Sequence, residues 1–421
     1  MVKRIILSFS LILSAQAFAQ QGTASPYSFY GIGDLSYNGT NEYKAMGGNS
    51  VYADSLHLNL KNPAAISKLK ATTFTVGSTS KFYNFKSDQS SSNVQRQSLD
   101  YIAVGLPLSK KYSVIFGLQP YSNVGYKIEN LQTNELNQKV SRQLEGNGGI
   151  NRVFLGTGYE INKNFQVGVQ ASYFFGNTDH TTLLTLADTG DGFGLANRTN
   201  ETRRIDYKGF EIRGAVQYQG KFKEYDWQAN LTYSPETKLT ADNVTNLRIL
   251  NASGGIVDMK EIFNESTNLK KPQEFAIGAG IGKNLKWFVS GQFTYIENSK
   301  LASSWNASQY SGFEDTKRYS VGGFYIPKYN SFTSYFDRVV YRAGFRYENT
   351  GLVLKNEAIN DYAFSVGAGF PLFGRTLSNI NLGLEYGNRG TKNSGLIKEN
   401  YFNISIGLSL NDFWFLKRKF D

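Results

Sequence analysis

From Tyr401 to Leu410, the residues Phe402, Ile404, Ile406, Leu408 and Leu410 fall on one face, and Asn403, Ser405, Gly407 and Ser409 on the other. A period of two places successive side chains on opposite faces of an extended strand, and a helix cannot produce it. The pattern returns in Phe165, Val167, Val169, Ala171 and Tyr173 against Gln166, Gly168, Gln170 and Ser172. It returns again in Ile380, Leu382, Leu384 and Tyr386 against Asn381, Gly383, Glu385 and Gly387. One greasy face and one small or polar face suit a wall with lipid outside and a lumen inside. Counting such segments, from Ala71–Lys86 to Glu399–Leu410, gives about fourteen strands.

The connections carry a second signal. Short ones (Ser109–Lys111, Asn162–Asn164, Gly282–Leu285) alternate with long ones (Glu129–Gly149, Asn177–Arg203, Asp242–Pro272). Outer-membrane barrels have short periplasmic turns and longer external loops, so this alternation predicts an even strand count with both ends in the periplasm. A soluble β-sandwich has no need of the asymmetry. The expected fold is all-β, a transmembrane antiparallel β-barrel of about fourteen strands.

Composition agrees once the fold is stated. Mean hydropathy is negative, because only every second residue of a barrel strand meets lipid. The 27 Tyr, 30 Phe and 42 Gly favour strands and turns over helices. No stretch of about twenty apolar residues exists to form a membrane helix. Lys3 and Arg4, the apolar run Ile5–Leu13 and the small-residue site Ala17-Phe18-Ala19 read as a secretory signal peptide cleaved before Gln20. The expected location is the outer membrane of a Gram-negative envelope, among outer-membrane lipids.

Between that site and the first strand lie about fifty residues without alternation, so the chain divides into signal peptide 1–19, plug 20–70 and barrel 71–421. The plug carries Ala45-Met46-Gly47-Gly48, Tyr52-Ala53-Asp54 and Asn62-Pro63-Ala64. Gly47, Gly48, Ala53, Asp54, Asn62, Pro63 and Ala64 resemble, in order, the hatch signature of the FadL family of hydrophobic-compound channels. Tyr233, Ser234, Pro235 and Lys238 look like that family's mid-barrel segment, as does the run Pro272–Tyr295. The leading Ser25-Pro26-Tyr27-Ser28 and the closing Lys417–Asp421 look like Bacteroidetes-type variants. The resemblance implies uptake of a hydrophobic small molecule, a long-chain fatty acid or an aromatic hydrocarbon, held near a hatch formed by Gly47, Gly48, Tyr52, Asp54, Asn62, Pro63 and Ala64, with a lateral opening in the wall. A second reading makes the chain a non-transporting accessory barrel of an outer-membrane secretion or assembly complex, with other envelope proteins as partners.

Tyr27, Phe29, Tyr30, Tyr37, Tyr43 and Tyr52 either line an apolar pocket or pack the plug against the wall. By period, Arg342, Arg346, Glu348, Glu385, Glu211 and Arg213 face the lumen, either as a polar ligand site or as an ion-pair network. Chemistry is poorly supplied. The chain has no cysteine and two histidines, His57 in the plug and His180 in an expected external loop, too far apart for a catalytic set. Gly31, Gly33, Gly47 and Gly48 lack the strand and the Lys-Ser/Thr of a phosphate loop. No enzyme activity, cofactor or metal is expected. The net charge of +11 contains no basic run longer than Lys417-Arg418-Lys419, which beside Trp414 and Phe415 reads as an interfacial anchor and not as a nucleic-acid surface.

Overall fold

A computed structural model describes residues 22–88, 90–133, 139–186, 197–251, 253–300, 311–372 and 377–414. The signal peptide, Phe415 and the closing basic run lie outside the described residues. A short strand β1 (Asp34–Leu35) and a single helical turn α1 (Asn41–Lys44) precede the wall. The wall then runs β2 (Thr72–Lys86), β3 (Ser91–Pro107), β4 (Tyr112–Thr133), β5 (Lys139–Glu160), β6 (Phe165–Leu186), β7 (Asn197–Phe222), β8 (Tyr225–Ser234), β9 (Thr237–Asn251), β10 (Ile256–Lys271) and β11 (Glu274–Lys283). It continues β12 (Trp287–Ile296), β13 (Ser311–Phe313), β14 (Thr316–Tyr325), β15 (Val340–Leu354), β16 (Glu357–Pro371), β17 (Asn379–Arg389) and β18 (Lys398–Asp412).

These make a closed antiparallel barrel of 14 strands. β8 and β9 are one wall strand, since both lie along β7, and the break falls at Pro235 and Glu236. β10 and β11 are likewise one strand broken at Pro272 and Gln273. Proline supplies no ladder donor, so the ladder is interrupted there. β13 is a short addition on β15. Closure is antiparallel pairing of β18 with β2, from Lys398 opposite Lys86 to Asp412 opposite Thr72, which removes both sheet edges.

Side chains alternate as the sequence requires. In β18, Phe402, Ile404, Ile406 and Leu410 are exposed on the outer face, while Asn403, Ser405 and Ser409 are buried within. Phe413 and Trp414 stand exposed just past the last strand, at the level of the short turns.

The long connections differ from expectation. Most of Glu129–Gly149, Asn177–Arg203 and Asp242–Pro272 is paired strand, with ladders running out to Thr133 opposite Lys139, Leu184 opposite Thr199 and Leu250 opposite Ile256. Runs of Thr, Asn, Gly and charged residues can serve as strand wherever a partner strand completes the ladder and neither face needs a core. His180 therefore sits in β6 and not in a loop, buried, with Nδ1 2.9 Å from the Tyr126 hydroxyl and Nε2 3.1 Å from Thr178 Oγ1. In the hairpin β9–β10, side chains from Ile256 to Asn268 are exposed, including Val257, Met259, Ile262 and Phe263. Among the described residues the outer edge of β10 has no partner strand.

Ile406 at the centre of β18 should face the membrane interior. Ile406→Arg should lower folding stability by roughly 2–4 kcal/mol, read as an earlier urea transition of the heat-modifiable band. An unchanged transition would remove residue 406 from the lipid face.

Candidate functional site

The site is the plug and the two spaces it separates. Asn62 caps a 3₁₀ turn over Pro63–Lys68, its Oδ1 accepting from the Ala64 N–H at 3.1 Å. Pro63 suits this first helical position because it has no N–H to satisfy. The Asn62 amide reaches across the lumen and donates to Gln217 Oε1 of β7 at 2.6 Å.

That bond is one of a ring. Gly47 N donates to Ser365 Oγ (3.1 Å), Ser50 N to Gln292 Oε1 (2.6 Å) and Ala53 N to Gln228 Oε1 (2.8 Å). Gln217 Nε2 donates to the Val51 carbonyl (3.0 Å), Ser290 Oγ to Asn49 Oδ1 (3.0 Å) and Asn381 Nδ2 to Glu42 Oε1 (2.7 Å). The wall side chains come from β7, β8, β12, β16 and β17. On the side of β3 to β5 the contact is apolar: Leu58, Leu60, Ile66 and Leu69 pack on Tyr101, Ala103, Ile115 and Phe154.

Glycines set the approach. A Cβ at Gly344 would lie 2.0 Å from Gly47 N, and one at Gly168 would lie 2.3 Å from the Pro63 carbonyl carbon. Gly47 itself has φ +70, with the Phe345 carbonyl 2.7 Å from where its Cβ would stand. Bare backbone on both sides is what lets plug and wall touch.

Between β3 and β4 the wall is broken, and the plug fills the gap. β3 pairs with β4 only from Ile102 opposite Leu118 to Pro107 opposite Ser113, while β4 continues along β5 past a bulge between Pro120 and Ser122. The freed edge of β4 is taken by β1, Asp34 opposite Asn123 and Leu35 opposite Ser122. Ser36 N donates to the Tyr121 carbonyl (2.9 Å), and Gly125 N to Ser28 Oγ (3.2 Å). On the other flank, Lys81 Nζ of β2 donates to the Gly22 carbonyl at 2.7 Å.

On the long-hairpin side of the plug lies a chamber of about 210 Å³ lined by charged side chains together with tyrosine rings, among them Tyr27, Tyr30, Tyr37, Tyr83 and Tyr121. Arg318 binds Glu348 through two 2.8 Å bonds. Arg346 holds Asp361 (3.1 Å) and Tyr401 (3.0 Å), and Arg389 holds Asp34 of the plug (2.7 Å). Glu211 pairs with Lys271 (3.0 Å) and Arg213 (3.4 Å), and Arg213 also with Glu274 (3.1 Å). Glu385 accepts from Asn403 at 2.9 Å. The inward charges read from the sequence thus form ion pairs and hydrogen bonds, with partners (Lys271, Glu274, Arg318, Asp361) that lie on other segments. Lys61 of the plug faces this chamber, its nearest acceptor the Gly48 carbonyl at 3.4 Å. Burial, with Arg318 nearby, pushes its ammonium down to about 7.

On the short-turn side the plug floors a vestibule of about 920 Å³ that shares no lining residue with the charged chamber. Tyr52 lies here, its ring 4.9 Å from both Phe288 and Phe324. Tyr43 is buried and donates to the Tyr52 carbonyl at 2.9 Å. Asp54 Oδ2 is 2.7 Å from His57 Nδ1. Burial disfavours both charges, yet each partner outweighs it, raising the His57 imidazole above its usual value and holding the Asp54 carboxyl below its own. Arg342 faces the same side, donating to Asn381 at 3.0 Å. The structure therefore divides the hatch residues: Gly47, Asn62, Pro63 and Ala64 seat the plug on the wall, Gly48 packs on Tyr37 within the plug, and Tyr52 and Asp54 open onto the vestibule.

A family model described as BamG matches residues 1–421. No curated protein matches the chain. Among solved structures it is similar to the CymD monoaromatic hydrocarbon channel, at 13% identity and TM-score 0.57, over 90% of this chain and 98% of that one. It is similar to the Pseudomonas putida toluene transporter TodX, at 15% identity and TM-score 0.58, over 91% and 100%. A Pseudomonas aeruginosa FadL homologue gives 12% identity and TM-score 0.58, over 91% and 99%. At such identities these structures share the fold, that of FadL-like outer-membrane barrels.

If the glycine seats hold the plug, Gly344→Val should displace it without opening the barrel. The chain has no cysteine, so a single Ser50→Cys reports cleanly. Maleimide labelling at residue 50 should rise at least tenfold in Gly344→Val, while the heat-modifiable band persists. Gly214→Val, where a Cβ meets nothing within 4 Å, should change nothing. Equal labelling in all three proteins would refute the seat.

Proposed function

The chain belongs to the BamG family, and from its geometry we propose that it is a non-transporting barrel subunit of an outer-membrane assembly or secretion complex. In this reading it acts through its surfaces while its lumen stays shut. The observation that carries the proposal is the ring of hydrogen bonds from β7, β8, β12, β16 and β17 to the plug, completed by apolar packing on β3 to β5. A gate must break what closes it. Each buried bond removed without replacement costs about 1–3 kcal/mol, so a plug held at this many points is built to stay. Outward, the edge of β10 that no strand among the described residues pairs offers backbone donors and acceptors to another chain.

The second reading, uptake of long-chain fatty acids or aromatic hydrocarbons past a hatch, is favoured by one observation. The break between β3 and β4 is stopped by residues 22–36 of the chain itself, and withdrawal of that segment would leave a hole in the wall.

The two readings part in a deletion strain. The subunit reading expects uptake of a fatty-acid and aromatic-hydrocarbon panel to be the same with and without the protein, and expects tagged protein in mild detergent to co-purify with other envelope proteins in fixed ratio. Uptake lost on deletion and restored by the wild-type chain, with the protein purifying alone, would establish the channel instead.

A further inference from the structure

The vestibule at the short-turn end falls within the range of about 300–1,000 Å³ typical of binding pockets, and its charge is not balanced. Its inner end carries the rings of Tyr52 and Phe324 over buried Phe288, with Ile326 beside them. Of the carboxylates there, Asp54 pairs with His57, while Glu42 accepts from Asn381, itself bonded to Arg342, and lies 3.9 Å from His57 with its buried Oε2 making no hydrogen bond. The mouth is different. Lys70, Lys163, Lys221, Lys283 and Arg338 stand on five separate segments around it. Lys221 lies 3.8 Å from Asp226 and Lys283 lies 2.6 Å from Glu224. Among the described residues Lys70, Lys163 and Arg338 have no carboxylate partner, and the buried Nε of Arg338 makes no hydrogen bond. The uncompensated charge is positive, and it surrounds an aromatic interior.

We propose that this vestibule docks an acidic polypeptide segment of a periplasmic partner, with an aromatic side chain entering beside Tyr52 and Phe324 and carboxylates meeting the basic rim. The inference rests on the complex-subunit reading and names the partner's chemistry. A segment fits better than a single amphiphile because the cations are spread around the mouth. One headgroup neutralises one or two of them, whereas a chain with several carboxylates meets them together. A second copy of this chain is a poor occupant, since its facing turns carry Lys110, Lys111, Lys163, Lys223 and Lys286 and would repel. Aromatic anchors in such a pocket supply most of the binding energy, and the rim supplies steering and specificity.

The test uses the purified full chain in nanodiscs and a fluorescent heptapeptide, Glu-Phe-Asp-Phe-Glu-Phe-Asp, with two controls: Lys for the acids, and Ser for the aromatics. The acidic aromatic peptide should bind saturably, and each control should bind at least tenfold more weakly. Lys70→Glu with Lys163→Glu, both on exposed positions, should cost at least tenfold and flatten the salt dependence. Phe324→Ala, checked by heat modifiability, should weaken the acidic peptide at unchanged salt slope. No saturable binding, equal binding of the basic peptide, or binding of sodium dodecanoate without peptide binding would overturn the proposal, the last assigning the vestibule to an amphiphile. Co-purification that survives the double charge reversal would keep the subunit reading and move the docking site elsewhere. Peptide binding by a chain that purifies alone would keep the site and remove that reading.

Discussion

A main chain carried inside a lumen must have its N–H and C=O groups answered, and at membrane depth irregular backbone survives only when protein answers it. The wall is organised around that need. Gln217, Gln228, Asn230, Ser290, Gln292, Ser365 and Asn381 are inward residues of five different strands, and each reaches a polar group of the plug. The plug in turn needs glycines opposite it, because a side chain on either partner would hold the backbones apart. Outside this belt the inward face changes character. Towards the long hairpins it becomes ion pairs, and towards the short turns it becomes aromatic rings with a basic rim.

The electrostatics follow from geometry. Inward residues two apart on one strand, and opposite residues on the next, lie close enough to pair. Arg318 stands directly opposite Glu348, and Arg346 reaches Asp361 diagonally, Asp361 being opposite Glu348. Glu211, Arg213, Lys271 and Glu274 gather where β10 passes into β11 at Pro272. Buried pairs of this kind contribute little net stability, but removing one partner is costly because it strands the other charge. They are better understood as a fixed polar filling than as a surface awaiting a ligand.

Much of this was legible in the sequence, for identifiable reasons. The alternation in Tyr401–Leu410 and Asn379–Arg389 is strict, because one face meets lipid and the other meets small-residue neighbours, so those strands read correctly. The extended hairpins did not read. In β5 to β7, stretches such as Gly146–Gly149 and Thr178–Thr182 look like turns, and only pairing with the neighbouring strand makes them wall. His180 was misplaced for that reason. The plug's small residues were visible at Gly47, Gly48 and Asn62–Ala64, but their seats at Gly344 and Gly168 were not, since a glycine in a strand gives no sign of what approaches it. Likewise Arg342, Arg346, Glu348 and Glu385 could be given a face by period. Their partners required knowing which strands stand side by side.

One feature of the wall bears on time as well as on space. The seam between β2 and β18 joins residues at opposite ends of the barrel sequence, Thr72 with Asp412, and contacts so distant along the chain are slow to form. The segment that stops the break at β4 is made first, ahead of every strand it touches, and ends up enclosed by all of them. A finished cylinder would admit it only by threading. Amino-terminal residues that lie against β4 before the last strand arrives avoid that threading, and the protein is then completed as a case is shut around its contents, the carboxy-terminal strand being the lid.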